Sequence, residues 1–189
     1  MELNEIFILR DIQPDDKDMI FRWRNLPEVA EYMYTDHEIS YKEHQQWFDG
    51  IQKDTTKKYW IINFNSEDVG VVNLYSIDYH NKRCYWAFYL ASPNIRGKGV
   101  GSFVEYYVLK YAFEELKFNK LCCEVIEFNQ EVINMHKSFG FEEEGCFKEH
   151  ILRKGQYVNI ICLAILASGW KAQKTLIEEK IEKKLRKLI

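Results

Sequence analysis

The chain of 189 residues predicts an α+β fold of three layers: one mixed, mostly antiparallel central sheet flanked by helices. Three observations lead there. Apolar runs of strand length come in pairs joined by turn residues, the signature of antiparallel hairpins. A meander of such strands then gives way to a strand–helix–strand–helix–strand order, which places helices on the sheet faces. Between one strand and the next helix lies Arg96-Gly97-Lys98-Gly99-Val100-Gly101-Ser102, a glycine loop of the kind that brings backbone close to a ligand. The length suits one domain with a proper core, and 47% hydrophobic and 15% aromatic residues supply that core. We expect this domain over residues 1–169, followed by a helical extension over 170–189.

Ile6, Phe7, Ile8 and Leu9 read as the first strand. Pro14 suits the first turn of a helix carrying Met19, Ile20 and Trp23, which ends near Pro27. A short helix over 29–33 follows. Ser40 with Glu43 three residues on is a capping-box signature for a helix bearing His44, Trp47, Phe48 and Ile51. Residues 59–64 and 69–77 form a hairpin around the turn 65–68, and 83–90 is the next strand. The glycine loop opens a helix with Phe103, Tyr107, Tyr111 and Leu116. Residues 121–126 are a strand, and Asn129 is placed to cap a helix that stops at Phe139-Gly140. A last hairpin joins 141–152 to 157–166 through Lys154-Gly155-Gln156. From Trp170 onward, Ile177, Ile181, Leu185 and Leu188 make one apolar stripe of an amphipathic helix. That stripe must cover either its own domain or a second copy, so a homodimer is an expectation.

The net charge of −3 argues against nucleic acid or a membrane as the main partner. The charge is uneven: residues 170–189 hold seven Lys/Arg and three Glu, leaving the rest of the chain at −7. The five cysteines include no C-x-x-C pair, so they read as small apolar residues of a reducing compartment, with no metal site. The first residues lack the pattern of a secretory signal, and no apolar run approaches the ~20 residues of a membrane span. A cytoplasmic location is the expectation.

Glycines alternating ahead of a helix, with Arg96 and Lys98 beside the helix's unpaired N–H groups, make a diphosphate cradle. A Walker loop needs G-x-x-x-x-G-K-[ST], which is absent, and Ser102 stands where a dinucleotide fingerprint counted from Gly97 needs its third glycine. What fits is Arg96-x-x-Gly99-x-Gly101 after the strand 85–90, which resembles motif A of the GNAT N-acetyltransferases. Asn129 through Met135-His136-Lys137-Ser138-Phe139-Gly140-Phe141 resembles the same family's following helix and strand, in order and at the family's spacing. The resemblance covers roughly residues 6–168. It implies acetyl-CoA as cofactor, its pyrophosphate on the loop Arg96, Gly97, Lys98, Gly99, Val100, Gly101 and Ser102. Phe88, Tyr89 and Leu90 would lie along the pantetheine arm, with Asn129 and Lys137 also at the cofactor.

Direct acyl transfer needs a neutral amine, donors for the developing oxyanion and a proton for the departing thiolate. The family's usual tyrosine proton donor is replaced here by His136, whose imidazole can donate a proton near neutral pH. Val132, Met135, His136 and Phe139 share one helix face, so His136 is equally read as a core histidine. That replacement also keeps a non-catalytic acyl-CoA-binding module in view. Glu124 alternates with apolar neighbours on the strand 121–126, where desolvation would raise its pKa and suit it as a base. It is equally read as a structural partner for a nearby donor. The oxyanion donor implied by the family is a backbone N–H of the strand 85–90.

Phe21-Arg22-Trp23-Arg24-Asn25, Met33-Tyr34-Thr35 and Glu43-His44 resemble the branch of the family that works in pseudaminic acid biosynthesis. Gly70 through Leu74 and Cys84 through Tyr89 continue that likeness. It implies a nucleotide-sugar acceptor, the 4-amine of a UDP-linked 4-amino-4,6-dideoxy-N-acetyl-altrosamine. Arg24, His44 and Tyr89 would bind it, by a fork onto phosphate, by imidazole and by aromatic contact. Branches that acetylate protein N-termini share part of these motifs, and a polyamine is a further alternative acceptor.

Overall fold

The computed structural model describes residues 3–95 and 97–188. In chain order it runs α1 (Leu3–Ile6), β1 (Phe7–Asp11), a 3-10 turn (Pro14–Asp16), α2 (Lys17–Arg24), α3 (Pro27–Ala30), α4 (Tyr41–Ile51), β2 (Lys58–Phe64), β3 (Glu67–Asp78) and β4 (Arg83–Leu90). There follow α5 (Val100–Lys110) with a π turn (Tyr111–Glu115), β5 (Lys120–Ile126), α6 (Gln130–Lys137), β6 (Glu142–Arg153), β7 (Gln156–Leu166) and α7 (Ala167–Arg186). The local signals act where they stand. Pro27, with its φ already helical, starts α3. Ser40 and Glu43 close a reciprocal capping box on α4. Asn129 precedes α6 as expected, but its side chain makes no cap bond; its carbonyl instead accepts the Ile133 N–H at 3.1 Å.

One sheet of seven strands has the order β1-β2-β3-β4-β5-β7-β6. Every neighbouring pair is antiparallel except β4 and β5, which α5 joins as a parallel crossover. That pair matches only Arg83 with Lys120, Cys84 with Leu121 and Tyr85 with Cys122. Beyond it the strands part, although each stays paired on its outer side: β4 with β3 as far as Leu90, and β5 with β7 as far as Ile126. Ala87, in mid-strand, is exposed as a result.

The two sheet faces carry separate cores. On the α5 side, Phe7, Trp86, Phe103, Leu109, Leu121, Phe139 and Leu163 are fully buried. On the other side Ile20, Phe48, Ile61 and Val71 form a smaller cluster under α2 and α4. Three residues of α7, Trp170, Ile177 and Ile181, are buried in the larger core, and Leu185 and Leu188 pack against it. The apolar stripe of the last helix is therefore covered by its own domain and makes no demand for a second copy. Lys171, Lys183, Arg186 and Lys187, at the helix's end or on its outer side, are exposed.

Gly70 marks the tightest backbone approach in the sheet. A Cβ added there would stand 2.2 Å from the Tyr89 carbonyl oxygen of β4, closer than any atom pair tolerates. A Gly70→Ala substitution is expected to push β3 from β4 and lower stability by about 2–3 kcal/mol. For a chain of this size that is roughly 5–10 °C in Tm, read by calorimetry or circular dichroism.

Candidate active site

The glycine loop takes the form the cradle requires. Gly97 and Gly99 sit at φ +77 and +79, left-handed conformations that other residues rarely adopt. Gly99 caps α5, its carbonyl accepting the N–H groups of Ser102 and Phe103. The amides of Gly99, Val100 and Gly101 find no backbone acceptor among the described residues, and the helix dipole at this end favours an anion. Val100 and Ser102 are buried and anchor the loop, while Lys98 is exposed. Arg96 lies outside the described residues. A Cβ on Gly101 would come within 3.2 Å of Met135 Sδ and 3.6 Å of the Phe88 ring. Glycine therefore keeps open the space between β4, α5 and α6. Backbone donors at a helix N-terminus next to a slot in the sheet fit the diphosphate and pantetheine arm of coenzyme A.

The parted stretch of β4 forms one wall of that slot. Phe88 turns toward α5 and α6 and stacks on Trp86, with centroids 5.6 Å apart. Leu90, two residues on, packs on the same core. Tyr89 points to the opposite face, against the smaller cluster, and burial raises its phenol pKa while the nearby Arg24 works against that rise. So of these three expected cofactor contacts, Phe88 and Leu90 share one face and Tyr89 lies on the other.

His136 is 2% exposed, enclosed by Trp86 and Phe141. Its Nδ1 lies 2.8 Å from Oε1 of Glu105 on α5, a carboxylate buried completely. The helix-face reading of His136 thus describes its orientation, and the pairing with Glu105 explains how a histidine is tolerated there. With Nδ1 engaged, Nε2 is the ring nitrogen left for another partner. Burial raises the Glu105 pKa, opposed by the bond to His136, and its Oε2 finds no partner among the described residues. Glu105 had a sequence signal, a lone acid in the otherwise apolar run from Val100 to Leu109, but nothing in the sequence named its partner. Lys137 pairs at the surface with Glu143 at 3.0 Å.

On the other sheet face Glu124 is half-buried, and its Oε2 accepts the Tyr34 hydroxyl at 2.7 Å. Asn25 holds the strap that carries Tyr34 by bonding both N–H and C=O of Ile39, at 2.8 and 3.0 Å. Burial first, and the bond to Glu124 second, keep Tyr34 a neutral phenol well above physiological pH. Tyr75 is in electrostatic range of Glu124, and Cys162 lies opposite it in the strand register. Arg24, at the end of α2, donates through Nη2 to Thr35 Oγ1 of the same strap. Its Nη1 is buried with no partner among the described residues. Burial lowers the Arg24 pKa, and the charge of Arg153 lowers it further. Arg153, 7% exposed on β6, donates Nη2 to the Ala30 carbonyl at 3.2 Å and leaves Nη1 equally buried and unpartnered. Arg153 carried no signal in its own surroundings, since only the fold brings β6 to α2 and α3.

His44 takes a different place from the one its resemblance implied. It is 3% exposed, stacked among Phe21, Trp47 and Phe48, and its Nε2–H donates to the Lys17 carbonyl at 2.7 Å. That bond ties α4 to the first turn of α2. Burial also lowers the His44 pKa, which keeps it neutral.

The buried pair between α5 and α6 gives a direct test. Glu105→Ala strands the imidazole in an apolar pocket and is expected to cost about 3 kcal/mol. Glu105→Gln keeps an acceptor for Nδ1–H and should cost less than half as much in the same denaturation experiment.

Comparison with known proteins agrees with this geometry. The family model described as the acetyltransferase (GNAT) domain matches residues 7–142. The chain is 30% identical over 131 residues to the acetyltransferase PseH of Campylobacter jejuni, covering 69% of this chain and 80% of that protein. It is 24% identical over 165 residues to the spermidine N(1)-acetyltransferase of Escherichia coli K12, covering 87% and 88%. The fold superposes with a TM-score of 0.80 on spermidine N-acetyltransferase from Vibrio cholerae in complex with CoA and spermine, at 22% identity, covering 87% of this chain and 97% of that one. Matched over well more than half its length, the chain belongs to the GNAT family and is an acetyl-CoA-dependent N-acetyltransferase.

Proposed function

We propose that this enzyme acetylates the amine of a nucleotide-linked aminosugar, the 4-amine of a UDP-linked 4-amino-4,6-dideoxy-N-acetyl-altrosamine as in pseudaminic acid biosynthesis. One observation carries this reading: Arg24 and Arg153 each hold a buried guanidinium N–H with no partner among the described residues. Buried donors of this kind are costly unless something meets them, and a cation most of all needs an anion. Two planar forks side by side suit a diphosphate. The polyamine acceptor named for several relatives is itself a cation, and Coulomb repulsion opposes it beside two unpaired guanidinium groups. The similarity to PseH supports the same choice. Five free cysteines, three of them buried, support a reducing cytoplasmic setting.

The residues divide the chemistry between the two faces. Bound acetyl-CoA supplies an activated thioester carbonyl. Glu124, aligned by the Tyr34 hydroxyl, takes the proton of the acceptor amine, directly or through a water. Backbone N–H groups along the parted stretch of β4 stabilise the negative charge that grows on the carbonyl oxygen. His136, held at Nδ1 by Glu105, hands a proton from Nε2 to the departing sulfur. Tyr89 lies beside Arg24 and supports the sugar end.

Release of free thiol with each acceptor tests the proposal. Thiol should appear with the UDP-aminosugar, and UDP alone should compete with it. Arg24→Ala and Arg153→Ala should each raise KM for that acceptor about 10- to 100-fold with kcat nearly unchanged. Turnover with spermidine or N-terminal peptides, and none with the sugar nucleotide, would sink it. His136→Ala should lower kcat by about 10²-fold or more; an unaltered kcat takes that residue out of the mechanism.

A further inference from the structure

The basic end of α7 lies against the cofactor cradle. A Cβ on Gly99 would stand 3.4 Å from Lys184 Cδ and 3.8 Å from its Cβ and Cγ, so the Lys184 stem lies over the residue that caps α5. One turn earlier, Lys180 reaches across to the end of α6. Its Nζ donates to Ser138 Oγ at 2.7 Å and to the Ser138 carbonyl at 3.1 Å, and sits 4.2 Å from the centroid of the Phe139 ring. Ile177 and Ile181 lock the helix into the core, which fixes this placement. An open recess of about 360 Å³ is lined there by Leu176, Glu179, Lys180, Lys183, Lys184 and Lys187.

The charges in this recess are largely uncommitted. Among the described residues, no ion pair takes Lys183, Lys184 or Lys187, whereas Arg186 pairs with Glu182 at 3.5 Å and Lys174 with Glu114 at 2.8 Å. Glu179 is the one acid in the lining. Burial lowers the Lys180 pKa, and the charge of the neighbouring Lys184 lowers it further against the opposing pull of Glu105. The helix dipole accounts for favouring cations in the last turn, but it does not account for laying one of them over the cradle's own glycine.

Coenzyme A brings more charge than the cradle answers. The loop amides and Lys98 are suited to the diphosphate, while the ribose 3′-phosphate adds close to two further negative charges. We infer that Lys183, Lys184 and Lys187 of α7 form the subsite for the 3′-phosphate of coenzyme A, so that the C-terminal helix selects the cofactor against its dephosphorylated form. This rests on the acetyl-CoA dependence of the family and is independent of which amine accepts the acetyl group.

Titration calorimetry with CoA and with dephospho-CoA tests it without turnover. The unsubstituted protein should bind CoA at least about tenfold more tightly, the scale of one to two charge-assisted contacts. In Lys183→Ala/Lys184→Ala/Lys187→Ala that ratio should fall below about threefold, with dephospho-CoA affinity unchanged and a shallower dependence on salt. Lys184→Gln, which keeps the stem over Gly99 but removes the charge, should account for part of the loss at an unchanged Tm. Two results would overturn the assignment. One is a triple variant that keeps the full preference for CoA. The other is an equal loss of affinity for both ligands, because α7 would then be steadying the loop and not reading the phosphate.

Discussion

The site depends on one interaction that stops early. β4 and β5 are parallel, and parallel strands are normally held along their length between covering helices. Here the ladder lasts three residue pairs, after which each strand is kept in the sheet by its other neighbour. Sheet integrity and the opening are thus reconciled: β3 and β7 supply the hydrogen bonds that the parted strands deny each other. The opening exposes backbone N–H and C=O groups of β4, which can pair with an amide-bearing arm as a further strand would. It also aligns the mouth of the slot with the N-terminus of α5, because the crossover that makes the pair parallel is the helix that carries the cradle. Cofactor geometry follows from topology before any side chain is considered.

Much of this was legible in the residues, and the division has a physical basis. The capping box at Ser40, the glycines ahead of Val100 and the stop at Gly140 are local signals whose energetics lie within a few residues. They placed the helices and put left-handed glycines ahead of α5. The parting of β4 from β5 has no local signal, since both segments are ordinary apolar strands and the break belongs to their pairing. Glu124 could be placed on a face by period two, yet its partner Tyr34 lies 90 residues away on an irregular strap. His44 shows the converse. A resemblance of motif suggested a ligand contact, whereas its stacking against Phe21 and Trp47 and its bond to the Lys17 carbonyl make it structural. Apolar stripes say that a face is covered but not by what, and the last helix spends its stripe on its own domain.

The two faces also differ in electrostatic character. Toward α5 and α6 the buried ionisable groups are paired, Glu105 with His136, and the free cations stand outside at the end of α7. Toward α2 and β6 the opposite holds, with guanidinium groups buried and incompletely met. Under the proposed function, that asymmetry receives an anionic cofactor at a rim and an anionic acceptor in a recess. Between the two faces, Ala87 is the exposed position of the parted strand.

The unmet guanidinium groups of Arg24 and Arg153 have a consequence for the folded state itself. Burying them without anions costs stability that a methionine of similar length would not cost, so this protein folds with a deficit concentrated at these two residues. Any anion that fills the place acts as a folding ligand, drawing down the population of locally opened molecules as its occupancy rises. Selection for tighter recognition and selection for a more durable fold thus pull in opposite directions at these two residues. A lineage living hot would be expected to resolve the conflict by strengthening the hydrogen bonds to Thr35 and Ala30 that already restrain the two side chains, leaving the charges in place.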